Sequence, residues 1–172
     1  GSIFISSPTS FTSSPIAFKY LMGITLLSII YQIIKNDIKF MMIPINILIT
    51  GYILGIVFTF TNFFYTDLHS GYKILQDHLT ASIISFLVMA LISSLGRYIA
   101  KKDLLGLGDA LMSGMGAWWL GAKGIFLALA IAFIFSGIYS FWSRLIKKHK
   151  PFEEFPFTPF IGIGLWCIWI TG

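Results

Sequence analysis

Six apolar runs, separated by short polar segments, occupy most of this chain. A helix needs about 20 apolar residues to cross a hydrocarbon core of about 30 Å. The pattern therefore predicts an all-α membrane protein with about six transmembrane helices. The runs are 16–34, 43–65, 79–100, 104–121, 124–142 and 157–172.

The composition agrees with a membrane protein and excludes a soluble globular domain. Hydrophobic residues make up 56% of the 172 residues and charged residues only 11%, whereas soluble domains carry about 25% charged residues. The net charge of +5 could suggest a nucleic-acid partner, but in a membrane protein excess Lys and Arg usually mark cytoplasmic segments. We therefore expect contact with the lipid bilayer and no nucleic-acid partner. The single cysteine, Cys167, allows neither a disulfide framework nor a CxxC zinc site.

The first fifteen residues differ from the rest because they are rich in Ser, Thr and Pro. We expect residues 1–15 to form a disordered tail that begins with a cloning remnant, Gly1-Ser2. Residues 16–172 are expected to form one membrane-embedded domain.

Basic residues are distributed unequally between the two sets of polar segments. With the N-terminus outside, nine of them fall on the inner side and three on the outer side. This bias predicts an N-out, C-out protein of the cytoplasmic (inner) membrane. The inner residues are Lys35, Lys39, Arg97, Lys101, Lys102, Arg144, Lys147, Lys148 and Lys150, and the outer ones are Lys19, Lys73 and Lys123.

Asp37 and Asp109 differ from the other acidic residues in their predicted depth. Asp37 ends the first helix on the inner side. Only about 20 Å of helix separates Asp109 from Gly121, so Asp109 is expected within the thickness of the membrane. A carboxylate there is costly and is a functional candidate by default. The connectivity of the helices places both aspartates near the cytoplasmic face.

Two carboxylates that share a site can hold one proton between them. The ionised member can activate a water while the protonated member polarises a scissile carbonyl. Gly106 and Gly108 permit positive φ and the close approach of a substrate backbone. A helix N-terminus favours an ionised Asp109, so Asp37 is expected to carry the proton. On these residues alone, a helix cap or an interfacial charge explains each aspartate equally well.

Other polar residues carry weaker signals. Asp67 and Asp77 are expected to be solvated charges in an outer loop, 66–78. His69 and His78 share this loop, but two isolated histidines make a weak case for a metal site. We expect no metal and no cofactor.

Three ordered segments resemble the type IV prepilin peptidase family, which includes the preflagellin peptidases and belongs to the GxGD membrane aspartic proteases. The first and second are similar to the two aspartate motifs of the family, and the third to its terminal Pro-Phe-x-Pro-Phe segment. They are Asp37-Ile38-Lys39 with Ile43-Pro44, then Gly106-Leu107-Gly108-Asp109, then Pro156-Phe157-Thr158-Pro159-Phe160.

The resemblance implies an aspartic endopeptidase that cleaves basic leader peptides from pilin-like precursors of type IV pilus or type II secretion systems. Cleavage would follow a glycine, at the cytoplasmic membrane face, with Asp37 and Asp109 as the catalytic pair. Larger members carry an N-terminal domain with paired CxxC motifs linked to N-methylation, and we expect a single membrane domain without it. Residues implied in substrate binding or in shaping the site are Gly106, Gly108, Pro44, Pro156 and Pro159.

The chain departs from the family pattern at two places. Leu111 stands two residues after the second aspartate, where many bacterial members have a lysine. In the family an asparagine often follows the proline of the first motif directly, whereas here Ile45 lies between Pro44 and Asn46. The presenilin branch fits less well because it carries a Tyr-Asp motif, where this chain has Asn36-Asp37. A small transporter or a non-enzymatic assembly scaffold stays open as the alternative, since intramembrane aspartates also serve as proton or cation sites.

Overall fold

A computed structural model describes residues 16–40, 42–100, 106–147 and 157–171, and every regular element in these ranges is an α-helix. Four of the helices are long and apolar enough to cross a membrane, and the fifth is shorter but also apolar. The prediction of an all-helical, multi-pass membrane protein is confirmed. The number of six spans and the N-out, C-out orientation stay predictions, and the predicted tail 1–15 lies outside the described residues. The helices are α1 Ile16–Phe40, α2 Ile45–Tyr65, α3 Leu68–Ala100, α4 Leu107–Lys147 and α5 Thr158–Thr171.

Helix α4 reverses direction at Gly121, where φ is 68° and ψ is −176°. This backbone conformation is essentially restricted to glycine. A Cβ atom on Gly116 would lie 3.3 Å from Cδ1 of Ile125, whereas a straight helix would separate these two residues by about 13 Å. The two halves of α4 therefore lie side by side. The reversal falls between the predicted runs 104–121 and 124–142.

Helix α3 begins at Leu68, well before the predicted start at residue 79, so the expected outer loop 66–78 is wrong. Only Thr66 and Asp67 separate α2 from α3. The Asp67 carboxylate accepts hydrogen bonds from the hydroxyl of Ser70 at 3.1 Å and from its backbone N–H at 3.4 Å. Both bonds lower the pKa of Asp67, and the bond from the hydroxyl has the larger effect. An N-cap of this kind starts a helix whose first turns are polar.

The core lies where α1, α2, α4 and α5 meet around three aromatic rings. Trp119 is fully buried and stacks on Phe58 with ring centroids 5.8 Å apart. Trp169 of α5 packs against both, with centroids 5.5 Å from Phe58 and 6.0 Å from Trp119. The indole N–H of Trp119 donates to the Gly51 carbonyl at 3.0 Å, so the centre of the bundle is both packed and hydrogen-bonded.

The reversal of α4 leaves the Trp118 carbonyl without its usual helical donor, and two side chains replace that donor. Nδ1 of His78 lies 2.6 Å from this carbonyl oxygen, and the Thr59 hydroxyl donates to it at 3.2 Å. Both side chains are almost completely buried. His78 is therefore a structural residue of the bundle and not part of a solvated loop.

Asp77 caps the second half of α4. Its Oδ2 accepts a hydrogen bond from the Ala122 backbone N–H at 3.0 Å. Asp77 is exposed, as expected of a solvated charge, but it lies in α3 and not in a loop. It caps the turn because the reversal at Gly121 leaves N–H groups that need an acceptor. We call this set of residues the turn cluster: Asp77, His78 and Thr59.

Candidate active site

Asp37 lies on the buried face of α1. The helix runs on to Phe40, so the expectation that Asp37 ends the helix is wrong. It follows Leu26, Ile30 and Ile33 at steps of three and four residues, and all four side chains are buried. This spacing keeps the carboxyl on the core-facing stripe of the helix. Its Oδ2 is buried without a hydrogen-bond partner among the described residues.

Asp109 lies in the first turn of α4 and is only 7% exposed, the same fraction as Asp37. Its Oδ2 accepts a hydrogen bond from the Gly106 N–H at 3.1 Å. Its own N–H donates to the Gly106 carbonyl at 3.1 Å. This reciprocal pair fixes the carboxylate at a helix N-terminus, where the helix dipole stabilises negative charge.

Thr158, the first residue of α5, lies at both carboxyl groups. Its side chain is fully buried, and its hydroxyl donates to Oδ1 of Asp109 at 2.9 Å. The same hydroxyl is close enough to interact with the Asp37 carboxyl. Asp37 and Asp109 are themselves close enough to interact electrostatically. The structure thus brings the two predicted aspartates together at one end of the bundle, with a hydroxyl that sequence reasoning missed.

Neither glycine of the segment 106–109 has the positive φ that glycine permits. Within the described ranges, Gly121 alone has it. Gly108 is instead a point of close packing, because a Cβ there would lie 2.8 Å from Cδ1 of Ile43. At Gly106 the nearest atoms to such a Cβ are 3.8 Å away, which leaves ordinary space.

Two of the predicted prolines, Pro44 and Pro159, lie at the starts of α2 and α5. Pro44 is the N-cap of α2, and its carbonyl accepts hydrogen bonds from the N–H groups of Ile47 and Leu48 at 3.1 and 3.3 Å. It directly follows Ile43, the residue that packs on Gly108. Pro159 occupies the first turn of α5, where proline is favoured because no N–H is needed. Pro156 lies outside the described residues.

The site provides two carboxyl groups and one hydroxyl, all three buried, at one end of the bundle. Such a set can hold a single proton and orient a water molecule. Among the described residues, no group of three or more His, Cys, Asp or Glu side chains is placed to hold a metal ion.

Two comparisons with known proteins give matches for this chain. The family model of the type IV leader peptidase family matches residues 20–141, a range that holds both aspartates. Two curated relatives, prepilin leader peptidase/N-methyltransferases of Aeromonas salmonicida and of its strain A449, are each 25% identical over 107 residues. The match covers 62% of this chain and 36% of each relative, so the chain spans about a third of their length. No solved structure matches.

Proposed function

This chain belongs to the type IV leader peptidase family, and we propose that it is an aspartic endopeptidase of the GxGD type. In this proposal it removes the basic leader peptide from type IV prepilin-like precursors at the cytoplasmic face of the inner membrane. The observation that supports it most is the placement of Asp37 and Asp109 at one buried site around Thr158.

The hydrogen bonds suggest different roles for the two carboxyl groups. Asp109 receives an O–H from Thr158 and an N–H from Gly106, so both of its oxygens act as acceptors. That pattern suits an ionised carboxylate. Asp109 is therefore the general base that takes a proton from the attacking water, and Asp37 is the acid that donates to the scissile carbonyl oxygen.

The reaction balances over these two groups. Water adds its oxygen to the peptide carbonyl carbon as Asp109 takes one proton, and Asp37 transfers its proton to the carbonyl oxygen. The tetrahedral intermediate collapses as the C–N bond breaks. The leaving amine takes the proton held by Asp109, and the product carboxyl returns the other proton to Asp37.

The substrate class rests on the family and on the charge of the site. The curated relatives are named prepilin leader peptidases, and a site with one net negative charge attracts a basic leader. The relatives are also named N-methyltransferases. For this chain we propose the peptidase activity alone, because paired buried carboxyls supply hydrolytic chemistry.

The decisive experiment is cleavage of a prepilin precursor by the purified protein in lipid nanodiscs. Asp37→Asn and Asp109→Asn keep the side-chain volume and remove the proton chemistry, so we expect each to lower kcat by about 100-fold or more. Asp77→Asn is the matched control. It changes an exposed aspartate at the opposite end of the bundle, and its amide oxygen can still accept from Ala122.

Normal cleavage by either active-site variant contradicts the dyad. A wild-type protein that cuts no precursor contradicts the peptidase proposal and favours the transporter or scaffold alternative.

A further inference from the structure

The buried hydroxyl of Thr158 is not needed by its own helix. The backbone N–H groups that follow Pro159 in α5 belong to Phe160 and Ile161, and both donate to the Phe157 carbonyl, at 3.0 and 3.3 Å. Pro159 has no N–H to satisfy. A threonine at the start of a helix usually accepts a bond from that helix. Here the side chain is directed instead to a carboxylate on another helix, Asp109.

The hydrogen-bonding capacity of a hydroxyl makes this contact selective. A hydroxyl has one proton to donate and lone pairs to accept with. Thr158 donates its proton to Oδ1 of Asp109. That proton is then not available to a second acceptor. The Gly106 N–H supplies a second donor to Asp109, whereas Oδ2 of Asp37 has no partner among the described residues. The hydrogen bonds therefore favour the ionised form at Asp109 and leave the proton to Asp37.

We propose that Thr158 is a positioning residue that holds Asp109 as the ionised carboxylate in the geometry for water attack, and so leaves the shared proton on Asp37. The inference rests on the proposed peptidase function and adds a residue to its machinery. The proton assignment itself is a property of the resting protein and can be measured without substrate.

Close packing fixes Thr158 relative to both aspartate-bearing helices. A Cβ on Gly162 of α5 would lie 2.7 Å from Cγ2 of Ile30 and 2.8 Å from Cδ1 of Ile34, both on α1. A Cβ on Gly116, in the half of α4 that begins with Asp109, would overlap the side chain of Leu165 on α5. Helix α5 therefore approaches α1 and α4 more closely than any larger residue at these glycines would allow. The hydroxyl is held by the same two helices that carry the carboxyls.

The test compares Thr158→Val, which has the same shape without the hydroxyl, with Thr158→Ser, which keeps it. We expect Thr158→Val to lower kcat by about 10- to 100-fold with little change in KM, because a hydrogen bond to a charged group is lost. Thr158→Ser is expected to retain most of the wild-type kcat. The matched control is Thr59→Val, which removes another fully buried threonine hydroxyl from the turn cluster, about 21 Å along α2 from its first residue.

Three kinetic results would overturn the inference. They are a wild-type kcat in Thr158→Val, an equal loss in Thr158→Ser and Thr158→Val, and a change in KM alone. Each would mean that the hydroxyl does not position the catalytic groups.

Infrared spectroscopy of the unliganded protein separates this inference from the proposed function. We expect a band of a protonated carboxyl at neutral pH that disappears in Asp37→Asn and shifts in Thr158→Val. If the band behaves in this way while the wild type cuts no precursor, the peptidase proposal fails and the proton assignment stands. If Asp109→Asn removes the band and Asp37→Asn does not, the assignment is overturned whatever the cleavage assay shows.

Discussion

At the scale of single residues, the two glycines of the segment 106–109 have different surroundings. Gly108 faces Ile43, which lies just before Pro44 in the connection between α1 and α2. Its missing side chain lets the start of α4 approach that connection, and so brings Asp109 toward the end of α1. Gly106 contributes its N–H to Asp109 and has free space around its Cα.

We expect Gly108→Ala to reduce prepilin cleavage strongly and to lower stability by about 1–3 kcal/mol, because the added methyl overpacks against Ile43. Gly106→Ala keeps its N–H and meets no atom closer than 3.8 Å, so its loss of activity should be much smaller. Cleavage rates and thermal unfolding in detergent check both. If the double variant Gly108→Ala, Ile43→Ala were no more active than Gly108→Ala, steric contact with Ile43 would not be the cause.

The sequence indicates both aspartates as candidates for the site, but it does not indicate Thr158. A carboxylate within the membrane is a functional candidate because placing its charge in lipid costs free energy. A threonine at the start of an apolar helix is common, since it serves as a cap. Its role depends on which helix packs beside it, and that contact spans 49 residues of chain.

At the scale of the helices, the reversal within α4 depends on one residue and its partners. Gly121 alone among the described residues has positive φ, and Asp77 with His78 satisfies the backbone groups that the turn exposes. Without this turn the two halves of α4 could not both pack on α3 and α5.

Gly121→Ala is expected to destabilise the protein by at least about 1–3 kcal/mol, because alanine is strained at this φ and ψ. In addition, its Cβ would lie 2.6 Å from Oδ2 of Asp77. Gly137→Ala is the control within the same helix. A Cβ on Gly137 would have no atom within 4 Å of it among the described residues, and alanine favours a helix. Thermal unfolding of the two purified variants measures the difference, and equal melting temperatures would contradict the role of Gly121.

The helix boundaries show where pattern reasoning works and where it fails. The break within α4 is predictable because Gly121 and Gly124 interrupt an apolar run. The start of α3 is not, because its first turns are polar, and polar residues between two apolar runs are typical of a loop. Their helix is started by Asp67, and its residues Asp77 and His78 bind the turn of α4. Such tertiary partners are not visible in a local pattern.

At the scale of the whole molecule, both aspartates lie at the end of the bundle opposite to Gly121. Asp109 begins the first half of α4 and Gly121 ends it, about 18 Å further along the helix axis. The unequal distribution of basic residues predicts that the aspartate end faces the cytoplasm. Several of those basic residues, including Lys101, Lys102 and Lys148, lie outside the described ranges.

Cysteine labelling in intact cells tests this orientation. Cys167→Ser removes the chain's one cysteine, and single cysteines are then introduced at His69 or at Met42, which are both exposed. We expect a membrane-impermeant maleimide to label His69→Cys in intact cells and Met42→Cys only after permeabilisation. The opposite result would place the aspartates outside and contradict cleavage at the cytoplasmic face.

The three parts of the site enter the membrane at different times during synthesis. Asp37 emerges with the first helix and Asp109 much later, but Thr158 arrives with α5, the last helix described. A partly translated chain can therefore hold both acids without the hydroxyl that positions them. On our assignment of Thr158, the full hydrolytic rate requires that translation has delivered α5, so a chain that stops before this helix would cut precursors more slowly.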